Sequence, residues 1–323
     1  MAEPVRSSPP TAGEEAAPAA GVRRSPRRLV GRVRLNLLLD SVSGPVPALF
    51  AAWLAGLVLT SAQSPMLAVL IVIGFAGAFI AGLVGLGGAI VLIPMLIYGP
   101  ELVGQPSLDI HAAAGVTMVQ VAVAGTAGML AHRRVGNLDW SVVATLGGSM
   151  AAGSLAGALT SGLLADEQLS AIFAALAAVA AVLMLAGRRT MVAEVTPGPI
   201  DYNRAAAVTA GLVVGVFVGM VGAGGGFVII PIMVFVLGIP VRVAVGSTLA
   251  IVAAAGISGG IGKAVTGQID WTMALALVVG ALPGAHAGAR LSRRLPVGLL
   301  ARLLGGLIAA IAIKMWWDLL AGG

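Results

Sequence analysis

Nine long apolar runs follow one another along the chain, separated by short polar joints. They cover roughly 45–63, 65–99, 109–131, 139–163, 168–187, 205–238, 241–262, 270–289 and 296–320. No charged side chain falls between Asp40 and Glu101, and none between Arg204 and Arg242. A bilayer-spanning helix needs only about 20 apolar residues, so the pattern predicts an all-α polytopic membrane protein. Runs 65–99 and 205–238 are anomalous. Each has about 35 residues, and a straight helix of that length would measure about 50 Å against a hydrocarbon core of about 30 Å. Each must break, tilt or fold back.

Both long runs carry the same glycine-rich sentence near the middle. Residues 82–94 read GLVGLGGAIVLIP and residues 219–231 read GMVGAGGGFVIIP, with eight of thirteen positions identical. The likeness continues downstream, where 115–140 aligns with 246–271 at ten of twenty-six positions, ending in Asp139-Trp140 and Asp270-Trp271. The expected organisation is therefore a polar, basic tail at 1–44, read as disordered and cytoplasmic, and an extra transmembrane helix at 45–63. Two homologous helical repeats follow, at 65–190 and 205–320. Loops 131–139, 188–204 and 290–296 are basic, while 164–168 is acidic. Positive-inside logic then puts the N-tail and the basic loops in the cytoplasm. The two repeats acquire opposite topology if each long run enters and leaves on one side, a common transporter plan.

Composition narrows the function. Of 323 residues, 59% are hydrophobic and 10% charged, with a mean hydropathy of +1.02; soluble domains carry about 25% charged residues. There are no cysteines, which excludes thiolate chemistry and disulfides. The net charge of +6 does not point to nucleic acid, because seven of the nineteen basic residues lie in the first 34 positions and most others in short loops. No catalytic constellation is present, no metal or cofactor is expected, and the chain does not read as an enzyme.

The glycine clusters carry the main chemical proposal. Gly85, Gly87 and Gly88, and Gly222, Gly224, Gly225 and Gly226, precede Pro94 and Pro231. Unwound glycine backbone in a membrane must face protein, water or a substrate, and its freed amides bind anions. Close helix packing is the competing explanation, and it suffices for pairs such as Gly153/Gly157 and Gly284/Gly288. In the helices after each break, Thr117 and Gln120, and Ser247 and Thr248, are rare hydrogen-bonding side chains. They line a polar path or bond their own preceding turn. Asp139 and Asp270 read as helix caps and the tryptophans after them as interfacial anchors. Lys263, His132 and His286 are candidates for substrate attraction or coupling. Lys263 and His132 occupy equivalent helix ends, where a side chain ordinarily snorkels to the surface.

Two copies of G-x-x-G-x-G-G-x-x-x-x-x-P, each followed by a span ending in G-x-x-D-W, resemble the TauE/SafE sulfite exporter family over 65–320. The resemblance implies a bacterial inner-membrane transporter of a small anion, with sulfite and organosulfonates as suggested substrates. It assigns the motif to Gly82, Gly85, Gly87, Gly88 and Pro94, and to Gly219, Gly222, Gly224, Gly225 and Pro231. Ala89 stands where the second half has Gly226. The expected function is secondary transport by alternating access between the repeats, with a proton or sodium ion as coupling ion and the lipid bilayer as surroundings. A passive anion channel and a non-transporting membrane subunit of a larger assembly are the alternatives.

Overall fold

The computed structural model describes residues 64–84, 89–133, 138–186, 202–292 and 297–321. The tail, the extra helix at 45–63 and the first glycine cluster (Gly85, Gly87, Gly88) lie outside the described residues. Among those described, every regular element is helical. Besides a short 3-10 turn at Pro100–Val103, they are in chain order α1 (Pro65–Val84), α2 (Ala89–Tyr98), α3 (Ile110–Arg133), α4 (Trp140–Leu163), α5 (Asp166–Ala186), α6 (Arg204–Val221), α7 (Gly226–Val236), α8 (Val241–Val265), α9 (Trp271–Ser292) and α10 (Val297–Ala321). Four stretches among them are long and apolar enough to cross a membrane: Ile110–Leu130, Trp140–Leu163, Arg204–Val221 and Val243–Val265.

Local chemistry starts and stops these helices. The Asp139 carboxylate accepts from the amides of Ser141 and Val142 at 2.8 and 3.1 Å, and Asp270 accepts from Met273 at 3.0 Å. Each satisfies amides that a helix leaves free in its first turn. The tryptophans that follow are alike in exposure, Trp140 at 54% and Trp271 at 56%, which suits amphipathic rings at a membrane interface.

Small residues set the packing, because without a hydrophobic drive between helices in lipid, close backbone approach does the work. On the α4–α6 seam, Gly211 lies against Leu146 and Ser149, Gly215 against Met150, and Gly219 against Ser154. Residue numbers rise together, so α4 and α6 run parallel. Between α3 and α8 the order reverses: Gly259 meets Met118, Gly256 meets Val121 and Ala122, Gly125 meets Ala253, and Gly128 meets Leu249. These two helices, which carry the aligned sequence, are antiparallel. Likewise α1 packs on α9, with Gly74 against Leu277 and Gly284 against Phe75.

Side-chain contacts place the helix ends. The Tyr202 hydroxyl reaches Ser141 and Thr145 at 3.3 and 3.2 Å, and the Ser247 hydroxyl accepts from the Asp139 amide at 3.2 Å. The starts of α4, α6 and α8 therefore share one end, the Asp139 end. His111 at the start of α3 sits 3.2 Å from the Leu164 carbonyl and 3.3 Å from Asp166, which marks the opposite, Asp166 end. Since α6 leaves the Asp139 end and α8 starts there, the segment between them makes a hairpin that opens at that end. The first long segment also folds back, with Leu92 of α2 against Gly77 of α1 and Gly99 against Ile73. Tyr98 at the end of α2 donates to Asp318 at 2.7 Å. Because α9 starts at the Asp166 end and α10 returns from its far side, Asp318 lies at the Asp166 end. The first hairpin opens there, opposite to the second.

Candidate functional site

The second long segment stops being helical at Gly222 and resumes at Gly226. Gly222, Gly224 and Gly225 have φ of 78°, 66° and 70°, the left-handed region where a Cβ clashes with the backbone and which glycine alone visits freely. Gly222 closes α6 by donating to the Val218 carbonyl at 2.8 Å, and the Gly225 amide donates to Ala223 at 2.8 Å. Gly226 and Phe227, the first residues of α7, have no carbonyl one turn back inside their own helix. Pro231 then removes a further amide from α7, and a widened π-turn follows at Ile232–Val236.

The break passes through the middle of the bundle. Gly222 touches the backbone of Ala114 near the start of α3, while Gly224 faces Val121 and Gly225 faces Met150, half-way along α3 and α4. The buried Thr117 hydroxyl lies 2.7 Å from the Ala113 carbonyl, 3.2 Å from Ala114 and 3.1 Å from Gly222. One proton serves three carbonyls, so Thr117 both bonds its own helix and reaches the break. One turn further on, Gln120 is 2% exposed and its Oε1 has no hydrogen-bond partner among the described residues. Such an orphan is uncommon in a folded interior.

The other sequence candidates are distributed differently. Ser247 contacts Asp139 at the far end of the bundle, and Thr248 bonds Ala244 at 2.6 Å with the Met233 sulfur at 3.8 Å. Neither joins Thr117 at the second break, so the four residues do not form one cluster. Pro94 lies inside α2. His132 and His286 lie on α3 and α9, their side chains outside the described residues.

Lys263 corrects the expectation of a snorkelling side chain. It is 0% exposed, and its ammonium donates to the Ser161 hydroxyl at 2.8 Å, the Met220 carbonyl at 2.9 Å and Gln268 Oε1 at 2.8 Å. It points inward because three oxygens from α6 and the ends of α4 and α8 match its three donors. Sequence reasoning missed Ser161 and Gln268, and Ser154, whose hydroxyl ties α4 to the Ala255 carbonyl at 2.9 Å. No motif marks these residues, since each acts through a contact distant in sequence.

Apolar spans packed through glycine, with hairpins opening at opposite ends, define a multi-pass helical membrane protein. Comparison with known proteins gives the family. The chain belongs to the family described as sulfite exporter TauE/SafE, whose model matches residues 69–315. It is 32% identical over 256 residues to a probable membrane transporter protein of Xylella fastidiosa (strain Temecula1 / ATCC 700964), covering 77% of this chain and 95% of that one. It is 24% identical over 266 residues to the probable membrane transporter protein YunE of Bacillus subtilis, covering 77% and 97%. A similarity of 35% to the probable membrane transporter protein MamO of Magnetospirillum gryphiswaldense covers 32% of this chain and only 18% of that protein. No solved structure matches the chain.

Proposed function

We propose that this protein is a secondary transporter of a small anion of the sulfite or organosulfonate class, working by alternating access between two inverted halves. The observation that carries the reading is the antiparallel α3–α8 pair together with two hairpins opening at opposite ends. Equivalent segments pointing in opposite directions are the mark of inverted repeats, whose substrate site lies between the halves. Exchanging the halves preserves the packing: α1 on α9 becomes α6 on α4, and α3–α8 and α5–α10 each map onto themselves. The backbone opened at Gly222–Gly226, with Thr117 and Gln120 beside it, is the proposed substrate contact of the second half.

Orientation follows from charge. Among the described residues, Arg133, Arg204, Arg242 and Arg290 belong to the Asp139 end. Glu101, Asp109, Asp166, Glu167 and Asp270 belong to the other. The Asp139 end is then cytoplasmic. The family's description and its relatives' names support transport, and sulfite is the first substrate to try. The test is flux in proteoliposomes for sulfite, sulfate, sulfoacetate, taurine and acetate, with and without a proton gradient. Saturable flux of at least one sulfur anion, lost in a folded Gly224→Leu variant, is expected. Unchanged flux in that variant overturns the site, and flux of none of the panel overturns the anion reading.

A further inference from the structure

The Lys263 ammonium is fully buried, yet all three of its partners are neutral. Among the described residues the ion pairs are His111–Asp166 and Lys314–Asp318, and neither involves Lys263. Taking an ammonium out of water costs several kcal/mol unless an opposite charge compensates, and buried charges are normally paired. Here the compensating charge is missing from the surroundings that are described.

The position of the ammonium says what would supply it. Met220, one of its acceptors, lies two residues before the glycine break. Gln268, another, also lines an open cavity of about 450 Å³ at the Asp166 end, together with Asp109, His111, Ala112, Gly267, Ile269 and Asp270. Gln268 thus belongs both to the lining of the open cavity and to the shell of the buried cation, and its Nε2 donates to the Thr266 hydroxyl at 2.9 Å. The carboxylates at this mouth are already engaged. Asp109 accepts from the Ala112 amide at 2.6 Å, Asp270 from the Met273 amide at 3.0 Å, and Asp166 faces His111 at 3.3 Å. Asp109 and Asp270 sit at helix starts, whose dipole offsets part of their negative charge.

We infer that Lys263 is the counter-charge for a small oxyanion entering from the Asp166 end, and that Ser161, Met220 and Gln268 are the neutral cradle holding the ammonium until the anion replaces them. This rests on the anion-transport reading and adds to it a specific binding side chain and a gate. Anion oxygens arriving past Gln268 take its place on Nζ, which loosens the tie between the ends of α4, α6 and α8. The chemistry requires a compact anion with hydrogen-bond-accepting oxygens.

The full-length protein, purified in detergent and in proteoliposomes, tests this with sulfite, sulfate and acetate as probes. For wild type, at least one of these raises the thermal midpoint and shows saturable flux. Lys263→Met should fold, because it removes an uncompensated charge, but lose the anion-dependent shift and raise KM at least about tenfold. Gln268→Leu keeps the charge and removes one competing acceptor. A hydrogen bond to a charged group is worth a factor of about ten or more, so its anion affinity should rise by about that factor. Should Lys263→Met fail to fold, the Gln268→Leu affinity decides alone, and no change overturns the inference. Wild-type flux with an equal anion response in Lys263→Met overturns the inference and leaves the transport reading standing. Absence of any response in wild type overturns both.

Discussion

A methyl group added at Gly222 tests the break more sharply than a large substitution, because its two penalties can be separated. At φ of 78° an alanine is strained whatever its surroundings, and its Cβ would also lie 2.6 Å from the Ala114 Cα. The first penalty is about 1–2 kcal/mol for an L-residue in left-handed backbone. The second is overpacking, typically about 1–3 kcal/mol, and it falls on the backbone of α3, which cannot move aside as a side chain can. Gly104 has nearly the same φ, 73°, with nothing within 4 Å of the added methyl. Gly222→Ala should therefore cost about 2–5 kcal/mol and Gly104→Ala about 1–2 kcal/mol, and their difference isolates the contact between the break and α3.

Gly148→Ala serves as a control in the opposite direction. It lies in helical backbone with open space around the methyl, so it should stabilise by about 0.5–1 kcal/mol. Reversible unfolding in mixed detergent, monitored by far-UV circular dichroism, measures all three variants. If Gly222→Ala costs no more than Gly104→Ala, the break does not press on α3 and the account of its position is wrong.

Thr117→Val removes a hydroxyl whose proton has three carbonyls in reach, so it should cost about 1 kcal/mol and lower flux, with Thr117→Ser restoring both; a full effect persisting in the serine variant would assign the role to the methyl group instead. Asp139→Ala should destabilise by about 0.5–2 kcal/mol through loss of the α4 cap, read by the same unfolding assay, and a neutral result would deny the cap. In the naturally cysteine-free chain, Leu163→Cys (85% exposed) should react with an impermeant maleimide from outside the cell, and Ala205→Cys only after permeabilisation. The reverse order would invert the orientation.

The hairpins were legible because length is a hard constraint: an apolar run of about 35 residues cannot cross the bilayer once as a straight helix. The caps were legible for a similar reason, since aspartate before tryptophan at the head of an apolar run has one economical use. Lys263 was not legible. Its acceptors Ser161 and Met220 lie 102 and 43 residues away, and nothing in the local sequence distinguishes a lysine that snorkels from one that turns inward. Ser247 and Thr248 show the same limit. They are neighbours in sequence, but a helical step of one residue turns them to different partners, Asp139 and the Ala244 carbonyl.

On the proposed inverted-repeat reading, exchange of the two halves also says where a preference for one direction would reside. Residues shared by both, such as Thr117 and Thr248 or Gly125 and Gly256, treat the two ends of the bundle alike and give neither an advantage. Asymmetry enters only where the halves differ. Lys263 stands opposite His132, Gln120 opposite Ile251, and Gly226 opposite Ala89. On the inferred role of Lys263, its buried amine gives the Asp166 end a binding group for an anion that the aligned histidine position does not duplicate in residue type. Loss of Lys263 should on this argument weaken binding from that side more than from the other. A KM that rises equally on both faces of an oriented proteoliposome would show instead that the lysine acts on the occluded state both directions share.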